Sequence, residues 1–164
     1  MSQAVDRLAR ETRRPFLHLP VPWVFVLAYL VGVGLQFLVP LNLGSPALSL
    51  LVRLAGVVLF AAGAILAGWG LVVFHRVETT TTPGEAPATL ITAGPYRFTR
   101  NPMYVGLVLA YLGEQGMLVE AWPLALLVLT VAYVNWFVIP VEETSLRVFG
   151  PAYDAYRARV RRWI

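Results

Sequence analysis

The stretch from Leu54 to Phe74, LAGVVLFAAGAILAGWGLVVF, runs for 21 residues without a charge. At about 1.5 Å per residue it crosses roughly 30 Å of hydrocarbon as a helix. Three more stretches have the same character: Val21 to Val39, Met103 to Val119 and Pro123 to Ile139. They predict an all-α integral membrane protein with four transmembrane helices, a cytosolic loop and a C-terminal amphipathic helical segment. The 164 residues are 58% apolar and only 13% charged, which excludes an ordinary soluble enzyme domain. They read as one membrane domain over 1–164, with a helix pair at 20–74 and the loop, a helical hairpin and the C-terminal segment at 75–164.

Orientation follows from arginine. All 13 basic residues are Arg and the net charge is +4. Arg7, Arg10, Arg13 and Arg14 precede the first span, Arg76, Arg97 and Arg100 separate the second from the third, and Arg147, Arg157, Arg159, Arg161 and Arg162 follow the fourth. The two other connectors, Pro40 to Ala47 and Gly113 to Trp122, carry none. The positive-inside rule therefore puts both termini, the middle loop and any site built there in the cytoplasm. Such a charge excess reads as topology and membrane-lipid contact, so no nucleic-acid partner is expected. The first apolar run follows an Arg-rich leader, but it is too long for a signal-peptide core and no small-residue cleavage site follows it. It reads as a retained span. With no cysteine, disulfides and thiolate chemistry are excluded.

The polar segment from His75 to Arg100, rich in Thr, Pro and Gly, is long for a helix connection, the mark of a functional loop. It leads into Asn101 and Pro102, which read as the cap and first residue of a helix whose free N–H groups suit an anion, with Arg100 alongside. The third and fourth spans, joined by a tight connector, form an antiparallel hairpin, which brings Glu142 and Glu143 beside Asn101 and Tyr104. Adjacent glutamates cannot share one helix face, so at most one points into a site. After Pro140, Leu146, Phe149, Tyr153, Tyr156, Val160 and Trp163 recur at helical spacing with Arg between them. Pro151 opens a second short helix in this interfacial segment, which is also placed to act as a lid. Glu114 and Gln115 are expected to solvate the tip of the hairpin, and Gly56, Gly63, Gly68 and Gly70 to let helices approach closely. His18 and His75 lack metal-ligand spacing to each other or to the acids, so no metal is expected.

The string from Thr89 to Tyr104, TLITAGPYRFTRNPMY, followed through a hairpin by Glu142-Glu143, Phe149-Gly150, Tyr153 and Tyr156, resembles the isoprenylcysteine carboxyl methyltransferase family and its relatives, the integral membrane phospholipid methyltransferases. The resemblance covers roughly residues 75–164. It implies S-adenosylmethionine held at the cytosolic membrane face, with a methyl group passed to a lipophilic small molecule from the bilayer. Position by position, Leu90, Ile91 and Tyr96 would line the cofactor, Arg100, Asn101, Pro102 and Tyr104 would contact it, and Glu142 or Glu143 would complete the pocket and serve catalysis. A helix start suits the cofactor's carboxylate, an acid its ammonium or ribose hydroxyls, and Tyr96 its adenine.

Two positions depart from the pattern. Many members of that family carry His where this chain has Asn101, and Asn cannot titrate, so no general base is expected there. The eukaryotic carboxyl methyltransferases also carry an arginine shortly before the acidic pair, whereas residues 136–141 contain none. A lipid amine, thiol or hydroxyl is therefore as open an acceptor as a prenylated carboxylate, and the acid could take its proton only if burial raises its pKa. Membrane sterol reductases resemble the same C-terminal block but use NADPH and usually longer chains. A non-enzymatic scaffold would explain the spans but not the clustered loop, cap and acids. The arginine distribution makes a direct prediction: single cysteines introduced at Ser45 and Thr81 should react with impermeant reagents from opposite sides of the membrane. Labelling from one side would overturn the topology.

Overall fold

The computed structural model describes residues 20–41, 46–76, 89–118 and 120–164. Six α-helices form there: α1 Val21–Leu38, α2 Pro46–Arg76, α3 Pro102–Leu118, α4 Ala121–Tyr133, α5 Ile139–Leu146 and α6 Pro151–Arg159. A wider π-helical turn, Val134–Val138, joins α4 to α5 without a break, so that Ala121–Phe149 is one continuous rod of 29 residues. His18, the leader arginines, Ser45, Val119 and loop residues 77–88 lie outside the described residues.

Three helices are long and apolar enough to cross a membrane: Val21–Leu38, Leu50–Arg76 and Ala121–Phe149. The sequence predicts four. The remaining stretch does fold as a helix, α3, but has only 17 residues and carries Glu114 and Gln115 in its last turns. Exposed Leu50, Leu51, Val58, Ile65, Val128, Leu129, Trp136 and Phe137 leave apolar surface on α2 and on the long rod, as lipid-facing helices require.

Small residues decide how the helices pair. α2 lies antiparallel along α3, and a Cβ added to Gly56 would stand 2.5 Å from the Gly113 carbonyl oxygen. One turn pair further along, a Cβ on Gly106 would stand 2.5 Å from the Ala67 nitrogen, and Gly63 faces Ala110 just as closely. Backbone meets backbone here, which only glycine permits. Gly70 closes against Met103, whereas Gly68 faces open space. α1 packs instead along α4, with Gly32 against Pro123. The core between them holds Val21, Phe25, Tyr104, Tyr111, Leu127, Val134, Val138 and Ile139. Tyr111 joins three helices, meeting Tyr29 edge-on at 5.3 Å and donating its hydroxyl to the Pro123 carbonyl at 2.9 Å.

The far end of α3 is enclosed by this packing, and so Gln115 does not solvate the hairpin tip: it is buried, and Glu114 is drawn to the Tyr29 hydroxyl. The glycine seam is testable. Gly63→Ala should lower stability by about 1–3 kcal/mol, the scale of overpacking a filled interior, while Gly68→Ala, meeting nothing and gaining helix propensity, should leave it equal or raise it by up to about 1 kcal/mol. Unfolding of the two purified variants in mixed detergent micelles measures the difference.

Candidate functional site

The chain enters the site through a tight turn. Gly94 sits at φ 59°, a left-handed conformation suited to glycine, and starts the 3-10 turn Gly94–Arg97, in which Pro95 and Tyr96 are buried. Five residues later Pro102 begins α3. Asn101 occupies the cap position, its carbonyl accepting the Val105 N–H at 3.0 Å, while its own N–H donates to the Thr99 hydroxyl oxygen at 3.2 Å. Its side-chain amide is committed elsewhere, donating to the Arg162 carbonyl at 2.9 Å. Thr99 donates its hydroxyl to the same carbonyl at 3.1 Å, and the Arg100 N–H donates to the Arg161 carbonyl at 2.9 Å. The last residues of the chain are thereby laid across the start of α3.

From the facing rod come the two acids. Successive side chains on an α-helix diverge by about 100°, and the glutamates go to different partners. Glu142 accepts the Tyr104 hydroxyl at 2.5 Å. Glu143 is held from two sides, by Arg100 at 2.8 Å and by a fork from Arg162 whose nitrogens lie 2.6 and 3.1 Å from its two oxygens. Charge-assisted forked contacts of this kind are among the strongest polar contacts a protein makes. The Asn135 side-chain oxygen accepts the Trp163 indole N–H at 3.0 Å and a 3.4 Å contact from Arg162, which fixes the chain end to the rod a second time.

Aromatic residues roof the cluster. Tyr153 and Tyr156 of α6 are buried; the Tyr156 hydroxyl donates to the Tyr96 carbonyl at 2.8 Å and Arg100 donates to Tyr153 at 3.3 Å. Burial pushes the Tyr156 phenol up to about 12 against the opposing pull of Arg100, so it stays a donor at neutral pH. The Tyr96 hydroxyl is buried without a hydrogen-bond partner among the described residues, and burial, with Tyr156 and Glu142 nearby, raises its pKa too. An unpartnered buried hydroxyl costs free energy unless something comes to meet it.

Of the residues singled out from sequence, Tyr96, Arg100, Asn101, Pro102, Tyr104, Glu142 and Glu143 come together at this end of the molecule. Leu90 and Ile91 are half-buried in the chain leading into the turn and take no part in its polar contacts. The sequence reading missed Asn135 and Arg162 as site residues. Asn135 had a signal, being the one amide in the run from Pro123 to Ile139. Arg162 had none, since nothing sets it apart from its arginine neighbours before the fold is seen.

The phospholipid methyltransferase family model matches residues 51–150 of this chain. No curated protein and no solved structure matches.

Glu143→Gln should release the C-terminal residues while leaving the helices intact. We expect faster amide exchange at Arg100, whose N–H is held by the Arg161 carbonyl, corresponding to about 1.5–3 kcal/mol of lost local protection, the scale of a charged hydrogen bond. Hydrogen exchange read by mass spectrometry checks it.

Proposed function

The chain belongs to the phospholipid methyltransferase family, and from that premise we propose how its own residues carry methyl transfer. Membership makes it an S-adenosylmethionine-dependent methyltransferase whose acceptor is lipophilic and membrane-associated. The reductase and scaffold readings are set aside accordingly.

When bound, S-adenosylmethionine supplies an electrophilic methyl group on a positively charged sulfur. The cluster at the start of α3 fits such a cofactor, because it offers an unpartnered buried hydroxyl on Tyr96 and a carboxylate on Glu142 within one aromatic enclosure. Tyr96 would meet the adenine or a ribose hydroxyl, and Leu90 and Ile91 would add apolar lining. Glu142 would take the ammonium or ribose hydroxyls, with Tyr104 holding its carboxyl in place. Arg100, Asn101 and Pro102 shape the wall that these groups stand on.

The single observation behind this assignment is the unequal occupation of the two acids. Glu143 has both oxygens engaged by Arg100 and Arg162, whereas Glu142 meets a neutral tyrosine. We therefore assign Glu142 to cofactor and proton, and Glu143 to positioning. A protic acceptor would have to shed a proton on being methylated, and Glu142 is the group assigned to receive it. Tyr153, Tyr156 and the chain end exclude water, leaving orientation and desolvation to supply most of the rate.

The placement in the membrane belongs to the same proposal. At about 1.5 Å per residue the 17 residues of α3 reach ~25 Å, the short end of the range for a span. Lying along α2, α3 serves as a fourth crossing, which returns both termini and the site to the cytoplasmic face. The acceptor then enters sideways from the bilayer and the cofactor from the cytosol.

Glu142→Ala should weaken S-adenosylmethionine binding by about 10- to 150-fold, the equivalent of ~1.5–3 kcal/mol for a charge-assisted hydrogen bond. Calorimetry reads that affinity. Incubation with radiolabelled cofactor and total membrane lipid should move label into the organic phase with wild type and far less with the variant. Unchanged affinity and unchanged lipid labelling in a folded Glu142→Ala would remove Glu142 from the site.

A further inference from the structure

Next to Glu143, Arg100, Arg147, Arg157 and Arg162 line a cavity of about 400 Å³ together with Pro140, Glu143 and Thr144. Four guanidinium groups against one carboxylate leave a formal excess of three positive charges. The single carboxylate is already spent on Arg100 and Arg162. Neither Arg147 nor Arg157 has an ion-pair partner among the described residues. Arg100 in addition keeps a buried Nε–H with no hydrogen-bond partner. Concentrated cations that the protein itself does not neutralise repel one another, and an anion with several acceptor oxygens removes that repulsion. Guanidinium forks match phosphate in charge and in shape, and a carboxylate would leave more of the donors unmet.

The surroundings say where such an anion comes from. Val148, adjoining Arg147, is 66% exposed, and Phe98 and Ile164 at the same end are 72% and 80% exposed. Large apolar side chains bare to the outside next to arginines are the pattern of a surface lying at headgroup depth. We infer that this cavity is a phosphate-binding subsite, with Arg147 and Arg157 as its free receptors, that takes the phosphate of a lipid headgroup or inorganic phosphate. Bridging Arg147 after α5 and Arg157 on α6, a bound phosphate also ties the aromatic roof to the rod. The subsite does not depend on which residue serves methyl transfer, and binding alone tests it.

The experiment titrates the purified full-length protein in detergent micelles with dihexanoyl phosphatidic acid, dihexanoylglycerol, inorganic phosphate and, separately, S-adenosylmethionine. Phosphatidic acid should bind, dihexanoylglycerol should not, and Arg147→Gln or Arg157→Gln should each weaken phosphatidic acid about tenfold. Arg53→Gln is the control and should change nothing. Arg147→Lys with Arg157→Lys keeps the charge and should lose less than the paired Gln variant, while S-adenosylmethionine affinity stays within about twofold and reports that the variants are folded. Inorganic phosphate binding as tightly as phosphatidic acid would support the subsite and name free phosphate as its source. Equal binding of dihexanoylglycerol, undiminished phosphatidic acid binding in the paired Gln variant, or loss of S-adenosylmethionine affinity in step with loss of phosphatidic acid would each overturn the inference.

Discussion

The carboxylate of Glu143 is the point on which the functional end of this protein is hung. Arg100 reaches it from the start of α3 and Arg162 from the chain end, while Glu143 itself stands on the rod that begins at Ala121. Three segments distant in sequence thus share one ionic node. Such a node contributes little net stability if built from nothing, because desolvating three charges costs nearly what their attraction returns. Removing one member from a finished node is another matter, since it strands the others. The node therefore specifies an arrangement more than it stabilises one, and by occupying Glu143 it leaves Glu142 for other partners.

The apolar part of the molecule has the complementary task. Arg100 can meet Glu143 only if the start of α3 is held at the right height, and that height is set by glycine contacts along α2. Backbone packed on backbone has no flexible side chain between to absorb a shift, so sliding one helix past the other is resisted at every turn of the seam. On the other side the α1–α4 contact and Tyr111 fix the rod. Polar specificity at one end rests on steric rigidity along the whole length.

Much of this is legible in the sequence, for identifiable reasons. Charge-free runs of helical length speak for membrane helices without any tertiary information, and Asn101-Pro102 marks a helix start because proline tolerates that position and few others. Counting lengths along a tight hairpin brings the acids to that start. What sequence does not carry is angular phase and choice among equals. The run from Met103 to Val119 looks like its neighbours in hydropathy, yet its helix is the shortest of the four, and Gln115 is buried because of what surrounds it rather than what it is. Glu142 and Glu143 are indistinguishable in a string of letters; two arginines arriving from elsewhere separate them. The arginine cavity is invisible for the same reason, its members coming from positions 100, 147, 157 and 162.

The π-helical turn at Val134–Val138, where the Ile139 N–H reaches back to the Val134 carbonyl, amounts to one surplus residue threaded into an otherwise α-helical rod. One residue is about 100° of rotation, which is also the angle between Glu142 and Glu143. The turn therefore works as an indexing device: it sets which tooth of the gear below engages Tyr104 and which engages the arginines, while the lipid-facing half above keeps its own orientation. Straightening that turn to plain α-helix with no residue removed would rotate the lower half by about 100° and take Glu142 away from Tyr104, whereas deleting the one surplus residue would close the bulge and leave both acids where they stand.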